Sequence, residues 1–373
     1  MKTRFLKLWL TAALAIPFLT AAAAAQSVQT SLASLPEADM LIYLSPQRLL
    51  NDAAPRVLSA KDVTEMRNGF AEMKKSVGFD PSSVDYLVLA VRFHKPAGDL
   101  SFVAPDVMAV MSGDFSADSL FSLAQLTLQS RVHVEKYGTK SIAVMRVDPI
   151  AAQAEKMPML KSLIDIGAVP LSANSIAVGN LPYLKSAVDA AEGTGRINPA
   201  LVDSLMRDPN VLMAAAGAPL GSFAKAFGLF GTETTPREGT CNTSFGNFYS
   251  SITISGTNFS VRGAMNADNP DTAKIMSSLF SMIMQQALNA GADKQAGSML
   301  DSMKLTGAEG EMFSTIIKSL KLMPKDNEVV WEADIPQQAI ADAFKPKPVT
   351  ITVKTPPPPT TPRKPVRKKR RSN

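Results

Sequence analysis

The stretch Asn174-Ser175-Ile176-Ala177-Val178-Gly179-Asn180-Leu181-Pro182 decides how this chain is organised. Its first five residues form a short apolar strand. Gly179 and Asn180 turn into a helix, and Pro182 falls in the first helical turn, where its missing N–H costs nothing. The same order returns much later: Asn327-Glu328-Val329-Val330-Trp331 is a strand, Ala333-Asp334-Ile335-Pro336 leads out of it, and Ala339 to Ala343 continue as a helix. Pro182 and Pro336 stand 154 residues apart. A second pair of markers agrees: Ser116 caps a helix after the strand 106–112, and Asn269 caps one after the strand 258–265, at an offset of 153. Two markers at nearly one spacing predict an internal duplication.

Reading outward, Met40 to Leu44 is an apolar strand, and 47–58 is helical but broken at Pro55. Met66, Phe70 and Met73 at helical spacing place a helix over 63–77 that stops at Gly78. The segments 84–93 and 107–111 are neighbouring strands, and 131–137 with 141–147 flank Gly138-Thr139 as a hairpin. The second unit repeats the theme with strands at 211–216, 247–254 and 259–265 and a short helix near 222–227. The expected architecture is α+β, two ferredoxin-like units with antiparallel sheets and helices on one face. The expected organisation is a signal peptide over 1–25, a linker over 26–35, units over 36–195 and 196–344, and a disordered Pro-rich basic tail over 345–373.

Charge is segregated along the chain. Its 373 residues carry a net charge of +6, yet the body, 26–344, holds 26 basic and 33 acidic residues. The ten basic residues of 345–373 face no acid at all. The high pI therefore belongs to the ends, and the body offers no surface-wide argument for nucleic-acid binding. One cysteine excludes an intrachain disulfide framework and a thiolate zinc or iron–sulfur site. Cys241 reads as a small buried hydrophobe.

The N-terminus reads as an export signal. Lys2, Arg4 and Lys7 precede the apolar 8–19, and Ala23-Ala24-Ala25 supplies the small residues a signal peptidase needs, with cleavage between Ala25 and Gln26. An uncleaved anchor is the alternative, since 8–25 nearly spans a bilayer. No nucleic-acid partner is expected after export.

The helix from Asp271 to Asn289 is the most apolar segment of the body. Ile275, Leu279, Ile283 and Ala287 form one row, and Met276, Phe280, Met284 and Leu288 the next. Packing on the sheet explains this stripe. The alternative is an apolar-ligand or lipoprotein site at Met276, Phe280, Met284 and Leu288, since methionine adapts to varied apolar shapes.

Catalytic signatures are sparse. Ser222-Phe223-Ala224-Lys225 has the Ser-x-x-Lys spacing of penicillin-binding hydrolases, but the Ser-x-Asn and Lys-Thr-Gly elements that should follow are missing. No nucleophile elbow, His-Glu-x-x-His, Walker loop or dinucleotide fingerprint occurs. His133 reads as structural and His94 as an exposed strand end. No catalytic residue, metal or cofactor is expected. Gly228 to Gly231 opens a polar loop of flap-like composition.

The tail carries the strongest signal. Val349 to Val353 could add an edge strand, and Pro356-Pro357-Pro358-Pro359 is stiff and extended. Arg363, Lys364, Arg367, Lys368, Lys369, Arg370 and Arg371 then cluster beyond it. A stiff spacer holding a polycation away from an acidic body suits anionic envelope polymers or lipid headgroups. A binding or structural role in the periplasm or at the cell surface follows, without enzymatic activity.

Signal, duplicated α+β body opening at Leu35-Pro36 and Asp39, and Pro-rich basic end together resemble a broad group of uncharacterised exported bacterial proteins. The resemblance implies export and a binding or structural role, and no activity.

Overall fold

The computed structural model describes residues 28–94, 105–128, 131–148, 150, 163–217, 246–290 and 315–344. The signal segment with Ala25 and Gln26, the pair Ser222 and Lys225, the loop at Gly228–Gly231, Cys241, the edge-strand candidate 349–353 and the tail cluster Arg363–Arg371 lie outside these residues.

Among the described residues twelve strands make one antiparallel sheet. They are β1 Met40–Leu44, β2 Val84–Arg92, β3 Asp106–Gly113, β4 Val132–Tyr137, β5 Lys140–Arg146, β6 Asp165–Ser172, β7 Ser175–Asn180, β8 Met213–Gly217, β9 Phe248–Ser255, β10 Asn258–Asn266, β11 Lys321–Lys325 and β12 Glu328–Pro336. Their order across the sheet is β11-β12-β10-β9-β8-β1-β2-β3-β7-β6-β5-β4. The fold is thus mixed α+β around one large antiparallel sheet.

The order mirrors itself about the β1–β8 pair. Ile42 faces Ala215 there. From Ile42 a cross-strand row runs through Leu89, Ala109, Val178 and Ala168. From Ala215 it runs through Ser250, Gly263, Trp331 and Leu322. Counted in chain order, each arm therefore has its first, second, third, last and penultimate strands in the same relation. In the longer arm, β5 and β4 extend the sheet beyond β6.

This corrects the expected ferredoxin-like order. Such a unit places another strand between the two that its first helix connects, but β1 and β2 are direct neighbours. The other edge of β1 is taken by β8, so the halves share one sheet. Both are short strands whose edge N–H and C=O groups need partners, and pairing with each other supplies them.

The helices are α1 Ala60–Val77, α2 Ala117–Leu128, α3 Leu181–Ala191, α4 Pro199–Leu205, α5 Pro270–Ala290 and α6 Gln337–Phe344. Residues 46–57 form a further helical stretch whose centre, Leu49–Ala53, is a π-turn. The break expected at Pro55 is a change of helical register instead, since proline has no N–H for the α pattern. Gly78 ends α1 in the left-handed region at φ 70°, as its position predicted. The caps at Ser116 and Asn269 are also present: Ser119 N–H donates to Ser116 Oγ at 3.2 Å, and Thr272 N–H to Asn269 Oδ1 at 2.8 Å.

Helices cover both faces, not one. On the upper face α3 and α4 bury Tyr183, Leu184, Ala187, Val188, Leu201 and Leu205 against Leu41, Val88, Met108, Val110, Ala177 and Ala214. On the lower face α5 packs Ala273, Met276 and Phe280 on Met265, Val329 and Trp331. Beside it α6 and 46–57 bring Ile340, Leu49 and Val57 onto Phe259, Leu212 and Ile335. The physical reason is visible in β9. Phe248 and Tyr249 are adjacent and must point to opposite faces; Tyr249 packs on the upper core and Phe248 on the lower. With apolar side chains on both faces of the strands, one helical layer cannot bury them all.

Candidate functional site

The upper cover runs from β5 as far as β9 and then stops. α3 contacts β3, β7, β6 and β5, and α4 contacts β1, β8 and β9. Beyond this line the described helices that pack on β10, β12 and β11, namely α5 and α6, lie on the lower face. At this line lies a cavity of about 600 Å³. Its wall is the end of α4 and the turn after it, with Ser204, Arg207 and Asp208. Its floor holds Tyr249 and Ser251 from β9, Arg262 from β10, Val330 and Glu332 from β12, and Met323 and Lys325 from β11.

The strand period places these residues. Tyr249, Ala264, Val330 and Met323 form one cross-strand row. Ser251, Arg262, Glu332 and Lys321 form the next upper-face row. The first row is an apolar strip with Ala264 at its base; the second carries alternating charge. On the far side of the strip stand Arg207, Glu328 and Lys325. Arg207 lies over the Tyr249 ring at 4.5 Å from its centroid and 3.8 Å from Glu328 Oε1. Burial pushes the Tyr249 phenol above its ordinary pKa, and the Arg207 cation partly opposes that shift. The result is an amphipathic floor: apolar along the middle, charged with both signs along its flanks. Such a surface recognises a complementary amphipathic surface through apolar contact and matched charges.

A second polar constellation lies in the other arm of the sheet, on β2, β3 and β7. Asp106 opens β3 with its side chain 2% exposed. Its Oδ2 accepts from Arg92 Nη2 at 2.6 Å and lies 2.9 Å from His94 Nε2, and its Oδ1 accepts from Asn180 Nδ2. Asn180 Oδ1 in turn accepts from Val107 N–H at 2.8 Å. Arg92 stacks over Tyr183 at 4.7 Å, and Tyr183 O–H donates to the Glu37 carbonyl at 2.9 Å. Burial raises the Tyr183 pKa, with Arg92 opposing. The buried charge is thus fully paired, and the cluster ties β2, β3, β7 and α3 together. This is structural work.

His94 is the strand end expected, but it is engaged by Asp106. His133 is exposed on β4. Of the residues weighed for an apolar ligand, Met276 is 2% exposed and Phe280 partly buried, both within the packed cluster beneath the sheet. The side chains of Met284 and Leu288 lie outside the described residues. The neighbouring row faces the other way: Ile275 is 57% and Leu279 51% exposed. Among the described residues no three His, Cys, Asp or Glu side chains are grouped to hold a metal. No described helix is long and apolar enough to cross a membrane.

The fold and the cleft define a mixed α+β protein with one broad sheet and a polar recess on it. No family model matches the chain, and no curated protein is similar to it. Among solved structures, crystal forms I and III of TP0453 are similar at 10% and 8% identity, covering 84% of this chain and 95% and 96% of theirs, with TM-scores of 0.40 and 0.41. A likeness that distant carries no argument about this chain.

Proposed function

We propose that this is an exported, non-enzymatic binding protein of the cell envelope. After cleavage between Ala25 and Gln26 the folded body is a scaffold, and Arg363, Lys364, Arg367, Lys368, Lys369, Arg370 and Arg371 contact anionic envelope polymers or lipid headgroups. The observation that carries this reading is charge segregation: ten basic residues without an acid follow a body that holds seven more acids than bases. We also infer that the body is a duplicated module. The mirrored strand order and the matched row from Ala168 to Leu322 support that inference, in addition to the 153- and 154-residue spacings.

The test is retention on envelope fractions. The full chain should stay bound at low salt and wash off as salt rises. Removal of 355–373 should abolish retention; unchanged retention contradicts the proposal.

A further inference from the structure

We infer that the outer edge of β4 is a self-association surface, which pairs antiparallel with β4 of a second copy of this chain about a two-fold axis at Val134. The inference goes beyond the tail's role and stands on the body alone.

The two ends of the sheet differ in kind. Among the described residues β4 and β11 each have one neighbouring strand, β5 and β12. Both sit in hairpins closed by two-residue turns, Gly138-Thr139 and Asp326-Asn327. The pair flanking such a turn exchanges both its hydrogen bonds, and from there the backbone groups point inward and outward by turns. On β11 the outward residues are therefore Leu322 and Pro324. Pro324 removes an outward donor, and Lys321 and Lys325 charge the strand; these features guard a sheet edge against pairing. β4 has no proline, and its outward groups belong to Val132, Val134 and Lys136.

The side chains of β4 are uncovered on both faces. His133 above and Val134 and Lys136 below are exposed, Val134 by 52%. Polar ties to α3 and its end hold the hairpin in place instead. Glu135 Oε1 meets Lys185 Nζ at 2.6 Å, Tyr137 O–H donates to Asp189 at 3.1 Å, and Thr139 O–H donates to Glu192 at 2.7 Å. The strand is thus fixed at the end of the sheet with its outer backbone groups presented.

The sequence of β4 selects the partner and the register. With the axis at Val134, this residue meets its own copy, and Val132 meets Lys136 of the second copy. These are the outward residues, so each such pair exchanges both its N–H···O bonds. Between them His133 faces Glu135 of the second copy at the closely spaced position, an imidazole N–H beside a carboxylate. An axis at Glu135 or Lys136 would set like charges against each other, and one at His133 or Val132 would shorten the overlap. The chain already contains one junction of this form: β1 and β8, the first strands of its two halves, join edge to edge and antiparallel.

Sedimentation velocity over a concentration series of the full chain tests this. A monomer–dimer equilibrium should appear and should survive removal of 355–373. Val134→Lys sets two ammonium groups across the axis, and His133→Glu sets a carboxylate against Glu135. Each should weaken dimerisation by at least about tenfold, while His133→Lys should not. Both positions are exposed, so urea unfolding of the variants should match the parent and separate a lost contact from a lost fold. Cross-linking in a Cys241→Ala background reads the register. Hydrogen-bonded pairs have Cα atoms about 5.5 Å apart, within disulfide reach, so Val134→Cys should form a disulfide dimer under mild oxidation. Lys136→Cys should not, since its counterpart lies roughly 13 Å along the strand. The inference is overturned by a chain that stays monomeric at every concentration, or by a dimer indifferent to Val134→Lys and His133→Glu. A dimer lost with the tail, or cross-linking at Lys136→Cys in place of Val134→Cys, overturns it equally.

Discussion

The guanidinium of Arg207 lies 4.5 Å above the ring of Tyr249, at the line where the helical cover of the sheet ends. On one side of that line Tyr249 packs on the upper core; on the other the described helices, α5 and α6, pack beneath the sheet. Arg207 is exposed and makes its second contact with Glu328 on β12, so it spans the mouth of the recess from wall to floor.

Arg207→Met keeps much of the cover over the ring and removes the charge. Burial already holds the Tyr249 phenol above its ordinary pKa, and Arg207 is the largest opposing influence. With the cation gone, the phenol should titrate at still higher pH. Ultraviolet titration of the variant against the parent, with Tyr249→Phe to assign the signal, checks the direction; a downward shift contradicts it.

Met276→Ala should destabilise the protein by about 2–4 kcal/mol, since it empties a packed site among Met265, Ala273 and Val329. Ile275→Ser, on the exposed row, should change stability by less than about 0.5 kcal/mol. Urea unfolding of both variants measures the difference. Equal effects would mean that α5 does not pack by the face described.

Asp106→Asn keeps the shape and removes the charge that Arg92 and His94 share. Arg92 would keep its stacking on Tyr183 but lose its carboxylate, and the cost should be about 2–4 kcal/mol by denaturant unfolding. His94→Gln should cost less, because His94 is 39% exposed while Asp106 is buried. A neutral Asp106→Asn would remove the cluster's structural role.

Glu192 accepts from the side chain and then the backbone N–H of Thr139, and these bonds lower its pKa. A carboxylate whose folded pKa is depressed contributes stability above its unfolded value. That contribution is lost as pH falls through the folded value, so the tie between the β4–β5 turn and α3 should weaken in acid, below roughly pH 4. Carboxyl titration by NMR should give Glu192 a midpoint below that of free glutamate, and Thr139→Ala should move it back up.

Much of the scaffold was legible from local pattern. The strands β1, β2, β3, β5 and β7, the hairpin at Gly138-Thr139 and three helix boundaries follow from apolar runs, turn residues and caps. β6 and β11 did not announce themselves. Gly167 and Pro170 interrupt one, and Lys321, Pro324 and Lys325 fill most of the other. These residues read as loop, and pairing with β7 and β12 overrides them. The joining of two halves into one sheet is likewise invisible locally, because nothing in Met40–Leu44 names Met213–Gly217 as its partner. The recess was missed for a related reason. Arg207, Tyr249, Arg262 and Glu332 come from separate elements and share no motif. The available signal was comparative: on the duplicated reading, charges in one half fall where the other has Met108 and Gly179. Asp106 could have been flagged as an acid opening an apolar strand, but its partners lie on two other segments, at the ends of β2 and β7.

The most direct test of the charge-segregated account is binding to vesicles containing anionic lipid, measured against salt for the mature chain with and without 355–373. Each basic residue near such a surface contributes about 1 kcal/mol. The account predicts that the intact chain binds at low ionic strength, that its affinity falls steadily as salt rises, and that deletion weakens binding by at least roughly a hundredfold. Equal affinity of the two chains, or binding indifferent to salt, would contradict it.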